Sequence, residues 1–213
     1  MPVVVRSIEQ LRGGTALVRI DDADPVELPL EALIAHNLHE NLQLEATRWA
    51  TITYEGRHRV AVRRSLDFLA SRWRTRAQLI TRLGKLEFTE PEIDRALARV
   101  EELGYLDDGA WARAYISQPR TRGRGRAMLA RELKHKGIGP TDLEAALDSH
   151  DDHVEAIAAV RKRSRALRRL EPEVRERRLY AYMQRRGFKH DTIRSAIAAV
   201  ASSATPAAEL ATD

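Results

Sequence analysis

Four arginines stand within seven residues at Arg120, Arg122, Arg124 and Arg126, interleaved with Thr121, Gly123 and Gly125. Guanidinium forks suit phosphates and carboxylates alike. The glycines predict a flexible loop whose backbone approaches another surface closely. Lys134 and Lys136 follow on the next predicted helix. A second basic cluster runs from Arg161 through Lys162, Arg163 and Arg165 to Arg168 and Arg169. Helical spacing predicts Arg161, Arg165, Arg168 and Arg169 on one face, with Arg177 and Arg178 on the following helix. Trp73, between Arg72 and Arg74 at a predicted helix end, is the aromatic residue best placed for a surface contact. The four loop arginines, Lys134, Lys136, Arg161, Arg165, Arg168, Arg169, Arg177, Arg178 and Trp73 make the candidate contact set for a polyanion or an acidic protein surface. The plainer alternative is a solvated loop and a solvated helix face, the latter partly neutralised by Glu171, Glu173 and Glu176.

Other constellations carry less chemistry. With no cysteine in the chain, disulfides, zinc–cysteine sites, iron–sulfur clusters and cysteine nucleophiles are excluded. His150-Asp151-Asp152-His153 and His36-Asn37-Leu38-His39 contain metal-ligand types but no fuller set, so caps and turns account for them better and no metal is expected. Asp107-Asp108 precedes a predicted helix and reads as an N-cap rather than a catalytic carboxylate pair. Tyr105, Trp111, Tyr115, Tyr180 and Tyr182 invite base stacking, yet their helical spacing favours core packing, above all for Trp111 and Tyr115. Neither a phosphate-cradling P-loop nor a nucleophile elbow is present. The expectation is a binding protein without catalytic residues or cofactor, not an enzyme.

Charge is distributed in blocks. The net charge of +5 over 213 residues hides a net of −3 in residues 1–60 and +8 in the rest. Residues 63–86 carry +6, 87–109 carry −6, 113–136 carry +7, 139–155 carry −6 and 161–189 carry +9. Such striping fits a polyanion partner for the basic blocks, with the acidic blocks pairing internally or facing a basic protein. No apolar stretch approaches the length of a membrane span, and the N-terminus lacks the pattern of a signal peptide.

The elements that position these residues fall into two regions. Residues 1–60 predict a small β-meander: a strand from Val3, a turn at Gly13-Gly14, a strand Thr15–Ile20, a turn at Asp21–Pro25 and a strand Val26–Leu28. Pro29 then opens a short helix to about His36. Residues 45–60 read as either strand, from Trp49 to Tyr54, or a helix interrupted near Gly56. Beyond residue 62 only helical periodicity remains, and it repeats every 50 residues. Leu79, Leu129 and Leu179 align, as do Leu83, Leu133 and Met183, then Phe88, Ile138 and Phe188. The register continues through Ile93, Leu143 and Ile193, through Ala96, Ala146 and Ala196, and through Leu97, Leu147 and Ile197. The offsets describe helix, tight turn, helix, with Gly137 and Gly187 at the left-handed cap and Glu87 in the corresponding place of the first unit. A further helix precedes each pair, at about 62–72, 108–118 and 152–169. The fold class expected is mainly α: three tandem three-helix repeats, helix-turn-helix-like, in an elongated array. The expected domains are a β-rich region at 1–60, repeats at 62–106, 107–150 and 151–201, and a flexible tail at 202–213.

The segment Glu102-Leu103-Gly104-Tyr105-Leu106-Asp107-Asp108, the basic glycine loop and the run Glu132-Leu133-Lys134-His135-Lys136-Gly137-Ile138 resemble the RecX family, regulators of the bacterial RecA recombinase. Leu179 to Phe188 continues the likeness in the third unit. It covers residues 62–200 and departs from the family pattern at Arg126, where proline usually follows the glycine, and at Glu87. The resemblance implies a cytoplasmic, nucleoid-associated monomer that binds in the groove of the RecA–DNA filament. It would thereby inhibit ATP hydrolysis, strand exchange and recombinational repair in the SOS response, touching single- or double-stranded DNA through its basic patches and no membrane. Helix-turn-helix-like units leave a second reading open, a transcriptional or architectural DNA-binding protein.

Overall fold

The computed structural model describes residues 2–21 and 23–202; the expected tail, from residue 203 on, lies outside the described residues. The chain divides into two compact units between Asp107 and Asp108.

The first unit begins with strands β1 (Pro2–Leu11), β2 (Thr15–Ile20) and β3 (Val26–Pro29), then helix α1 (Leu30–Ala35) and strand β4 (Gln43–Glu45). All pairings are antiparallel, in the order β3-β2-β1-β4. The three meander strands and the short helix lie where periodicity placed them. Strand β4 pairs with Pro2, Val3 and Val4; three residues are too few to show alternation. Val5, Val18, Leu28 and Leu44 bury one face of the sheet against Trp49 and Ile52.

Trp49 and Ile52 belong to α2 (Ala46–Ser71), a single helix of 26 residues. Residues 46–60 are therefore helical, and Gly56 does not interrupt them. A Cβ on Gly56 would meet Leu28 Cδ2 at 2.5 Å, so glycine is what lets the helix lie against β3. The helix expected at 62–72 is the second half of α2. That half buries Val60 and Ala61 in a separate core with Leu79, Leu83, Ile93 and Leu97. Arg63 Nη1 donates to Gly13 O at 2.7 Å and Arg64 pairs with Glu27 at 2.7 Å, tying α2 to the meander. The first repeat closes with α3 (Arg76–Gly84) and α4 (Glu90–Glu102). Thr75 accepts from Gln78 N, and Thr89 with Glu92 forms a full capping box.

The second unit holds α5 (Asp108–Ile116), a 3₁₀ turn at Pro119–Thr121, α6 (Arg126–His135) and α7 (Pro140–Leu147). It continues with α8 (Asp152–Leu167), α9 (Pro172–Arg185) and α10 (His190–Ser202). The 50-residue register is a register of burial. All eighteen repeat positions lie in their units' cores, with Ile197 alone only partly buried.

One turn geometry links each helix pair. Glu87, Gly137 and Gly187 have φ of 61°, 81° and 84°. The following N–H returns to the helix end: Phe88 to Leu83 O at 3.4 Å, Ile138 to Leu133 O at 3.1 Å, and Phe188 to Met183 O at 3.3 Å. Glu87 keeps the left-handed conformation without being glycine, and Arg57 of α2 braces it. Arg57 Nη2 donates to Glu87 O at 2.9 Å, and its guanidinium lies 5.0 Å from the Phe88 ring centre and pairs with Glu92. Burial opposes ionisation of Glu92, yet the bonds from Arg57 and Thr89 hold its carboxyl below the ordinary range.

Relieving the left-handed Glu87 should outweigh the extra freedom glycine gives the unfolded chain. Glu87→Gly is therefore expected to stabilise the protein by about 0.5–1 kcal/mol. The check is the urea midpoint at unchanged slope; a lower midpoint would show that Arg57 already compensates the strain.

Candidate functional site

The arginine loop is built from α5's end and α6's start. Thr121 is buried, and its one hydroxyl hydrogen is shared between Ile116 O and Gln118 O, each 2.6 Å from Oγ1. That knot faces Arg120 and Arg122 outward. Arg120 lies over the Tyr115 ring at 5.1 Å from its centre, and both arginines are exposed. The next two turn inward. Arg124 Nη1 pairs with Glu132 at 2.5 Å, and Glu132 also accepts from Tyr115 Oη at 3.1 Å. Arg126 spans to α7, donating to Leu147 O at 2.8 Å and to Glu144 at 2.7 Å, with Asp148 at 3.4 Å. Half of the loop's charge is thus engaged within the repeat.

The loop's backbone is docked on the third repeat. Gly123 N donates to Glu155 Oε2 at 2.5 Å and Gly125 N to Arg186 O at 2.8 Å. Arg126 N donates to Asp152 Oδ1 at 2.7 Å. A Cβ on Gly125 would run into the backbone of Gly187, and one on Gly187 into Met128. The glycines expected to confer flexibility and close approach to a partner serve close approach within the chain. Arg126 stands at the first position of α6, where proline suits the helix. Proline has no N–H to give Asp152, so arginine here supplies both a backbone bond across the repeats and a side-chain clamp to α7.

His150 sits at the same joint. Its Nε2 is 3.1 Å from Asp152 Oδ1, within ion-pair reach though not aligned as a hydrogen bond. The neighbouring Asp152 carboxylate raises the imidazole pKa above its ordinary 6.5, against the opposing effect of burial. Asp151 caps α8 by accepting from His153 N at 2.8 Å and Val154 N at 3.1 Å. At the other His pair, His39 Nδ1 lies 3.0 Å from Glu40 O. Among the described residues, no three His, Asp or Glu side chains converge on a metal-sized site.

The second basic cluster is only partly the single face that spacing predicts. Helix α8 ends at Leu167, Arg168 caps it and Arg169 lies in the turn beyond. Only Arg161 and Arg165 remain on the helical face, because Leu167 must turn inward to join the core at Leu179 and Met183. Arg161, Arg165, Arg168, Arg169, Arg177 and Arg178 are all exposed. Among the described residues no lysine or arginine of 161–189 forms an ion pair, whereas the two preceding basic blocks do. Lys134 is exposed on α6 and Lys136 is half-buried at its C-cap. Trp73, 48% exposed, lies between α2 and α3. Trp111 stacks on Tyr115 at 5.3 Å in the repeat's core, the packing role that helical spacing favours. Tyr180 meets His190, with Oη to Nδ1 2.7 Å.

Sequence spacing did not join Lys162, Arg163, Tyr182 and Arg186 into one site. The fold brings them together with Arg122 around a cavity of about 780 Å³. They come from α8, α9 and a loop some 40 residues earlier, so no local pattern joins them.

Three models of the RecX family match the chain in order. They are its first three-helix domain at residues 61–99, its second at 107–147 and its third at 151–197. The regulatory protein RecX of Bacillus subtilis is 30% identical over 202 residues, covering 92% of this chain and 76% of its own. The chain belongs to the RecX family. The RecX proteins of Chlorobaculum tepidum and Streptomyces coelicolor are 33% identical over 144 residues and 37% over 127. These matches cover 67% and 58% of this chain, and 89% and 68% of the relatives. A crystal structure of a regulatory protein RecX shares the fold at a TM-score of 0.66 and 24% identity, covering 91% of this chain and 99% of that one. A RecX structure from Lactobacillus salivarius gives a TM-score of 0.64 at 19% identity, over 68% of this chain and 97% of that one. This is a family of regulators. Among the described residues no helix is long and apolar enough to cross a membrane.

Two expectations follow for this RecX-family chain. Arg126→Ala should cost about 1–2 kcal/mol by releasing Leu147 O and Glu144, while Arg122→Ala should stay within about 0.5 kcal/mol; urea unfolding of both variants decides. The raised pKa of folded His150 means that the native state binds the proton more tightly. Its contribution is fully present below pH 6.5 and is lost as pH rises through the higher folded value. His150→Asn should therefore show a smaller loss of stability between about pH 6 and 8 than the parent; equal slopes would remove the imidazole from the joint.

Proposed function

We propose that this protein regulates a RecA-type recombinase by binding its filament on DNA, with inhibition of ATP hydrolysis and strand exchange as the outcome. The observation that carries the reading is membership of a regulatory family whose likeness runs through all three repeats. The charge arrangement supports it. The exposed arginines of α8 and α9 have no internal carboxylate partner among the described residues, and Arg120 and Arg122 face outward from an anchored loop. Uncompensated positive charge of this kind attracts the phosphates of a nucleoprotein filament or an acidic protein face. The repeats act as successive contact modules, so modest individual contacts add through multivalency. In this reading the protein is a monomer, works in the cytoplasm at the nucleoid and joins recombinational repair and the SOS response as a modulator.

The test adds purified protein to RecA filaments and follows DNA-dependent ATP hydrolysis and strand exchange. Inhibition at stoichiometric levels is expected, and no effect at those levels would sink the proposal. The double variant Arg120→Ala/Arg122→Ala should weaken filament binding about tenfold or more without lowering stability. Sequence-specific binding to duplex DNA at physiological salt, with RecA absent, would favour a transcription factor instead.

A further inference from the structure

Pro119, Arg122 and Gly123 form one wall of the 780 Å³ cavity; Lys162 and Arg163 of α8 and Arg186 at α9's end form the others. Four cations face one carboxylate, Glu155, and its Oε2 is already engaged by Gly123 N at 2.5 Å. Among the described residues, Arg122, Lys162 and Arg163 have no carboxylate within ion-pair distance. Two of the charges are held close together deliberately by one ring. The guanidiniums of Arg163 and Arg186 lie 5.3 and 5.2 Å from the centre of Tyr182. Arg186 Nη1 is further steadied by Gly123 O at 3.4 Å. Like charges gathered this way repel one another unless an anion joins them. The floor leaves room for one, since Ala158, Ala159 and Ala166 present only methyl groups to the space.

We propose that this cavity binds a compact oligophosphate, the chemistry offered by a free nucleotide or by the phosphates of a nucleic-acid strand. A volume near 780 Å³ is that of a small-ligand pocket. Several phosphates supply, within that volume, the multiple negative charges that four cations require; a lone carboxylate does not. Arginine forks take phosphate oxygens two at a time, and Lys162 adds a point charge. The docked loop makes the site possible. It carries Arg122 to the rim and engages Glu155 Oε2 through Gly123 N. The site needs no recombinase, so its failure would leave the regulatory reading standing, and the reverse also holds.

Calorimetry on the full chain at low ionic strength, with inorganic triphosphate as probe and a single-stranded oligonucleotide as competitor, tests the site. Triphosphate should bind at one per chain and raise Tm. Arg122→Ala/Lys162→Ala should weaken it about tenfold or more. Ala158→Trp should do the same by filling the cavity with every charge intact. Arg161→Ala/Arg165→Ala, on the same helix outside the cavity, should leave binding unchanged. Displacement of triphosphate from the parent by the oligonucleotide, with direct oligonucleotide binding weakened in the cavity variants, assigns the phosphates to a strand. Triphosphate binding that the oligonucleotide does not displace assigns them to a free nucleotide. The proposal is overturned if triphosphate does not bind, if the cavity variants bind it as the parent does, or if a glutamate-rich peptide alone shows the variant-sensitive binding.

Discussion

A short helix cannot bury an apolar stripe by itself, and each three-helix unit here depends on one left-handed residue to fold two such stripes onto a third helix. Glu87, Gly137 and Gly187 hold that conformation. The N–H of the residue after each left-handed one returns to the end of the preceding helix, the next helix follows, and the apolar positions of both helices converge. Three separate cores result, each with its own preceding helix. Glycine makes the turn at no steric cost in two units. In the first, an arginine from α2 accompanies the departure from glycine, contacting the Glu87 carbonyl and the Phe88 ring. The turn is thus a constraint of the repeat, met by different local chemistry.

The same geometry sorts the positive charge. Where a carboxylate lies on the neighbouring helix, an arginine becomes part of the frame: Arg57 with Glu92, Arg124 with Glu132, Arg126 with Glu144. At Arg161, Arg165, Arg177 and Arg178, where none lies within reach, the side chain stays exposed. The loop from Arg120 to Arg126 contains both kinds in alternation, because its backbone is pinned by Glu155, Asp152 and Arg186 O. Pinning turns a glycine-rich segment into a platform. It also places Arg122 beside cations that are remote in sequence.

Much of this was legible beforehand. The meander strands, the 50-residue register and the core role of Trp111 and Tyr115 follow from local rules of periodicity and turn chemistry. The family likeness followed from short segments such as Glu102–Asp108. The failures have a common cause. Helix α2 reads as broken at Gly56 because the reason for that glycine, Leu28, is 28 positions away. The three-residue β4 has no period. The α8 arginines do not all share a face because Leu167 ends the helix where the core requires it.

The sequence by itself determined what repeats and where charge accumulates, since burial period and residue type are local properties of the chain. It also determined that each unit turns at a position suited to a left-handed residue. Only the tertiary structure decided which arginines are structural and which face outward, because an ion pair depends on a carboxylate brought near from another helix. It alone decided that Gly123 and Gly125 serve a joint between repeats, and that Arg122, Lys162, Arg163 and Arg186 meet around one cavity. Proximity across tens of residues is settled by packing, and no local pattern carries it.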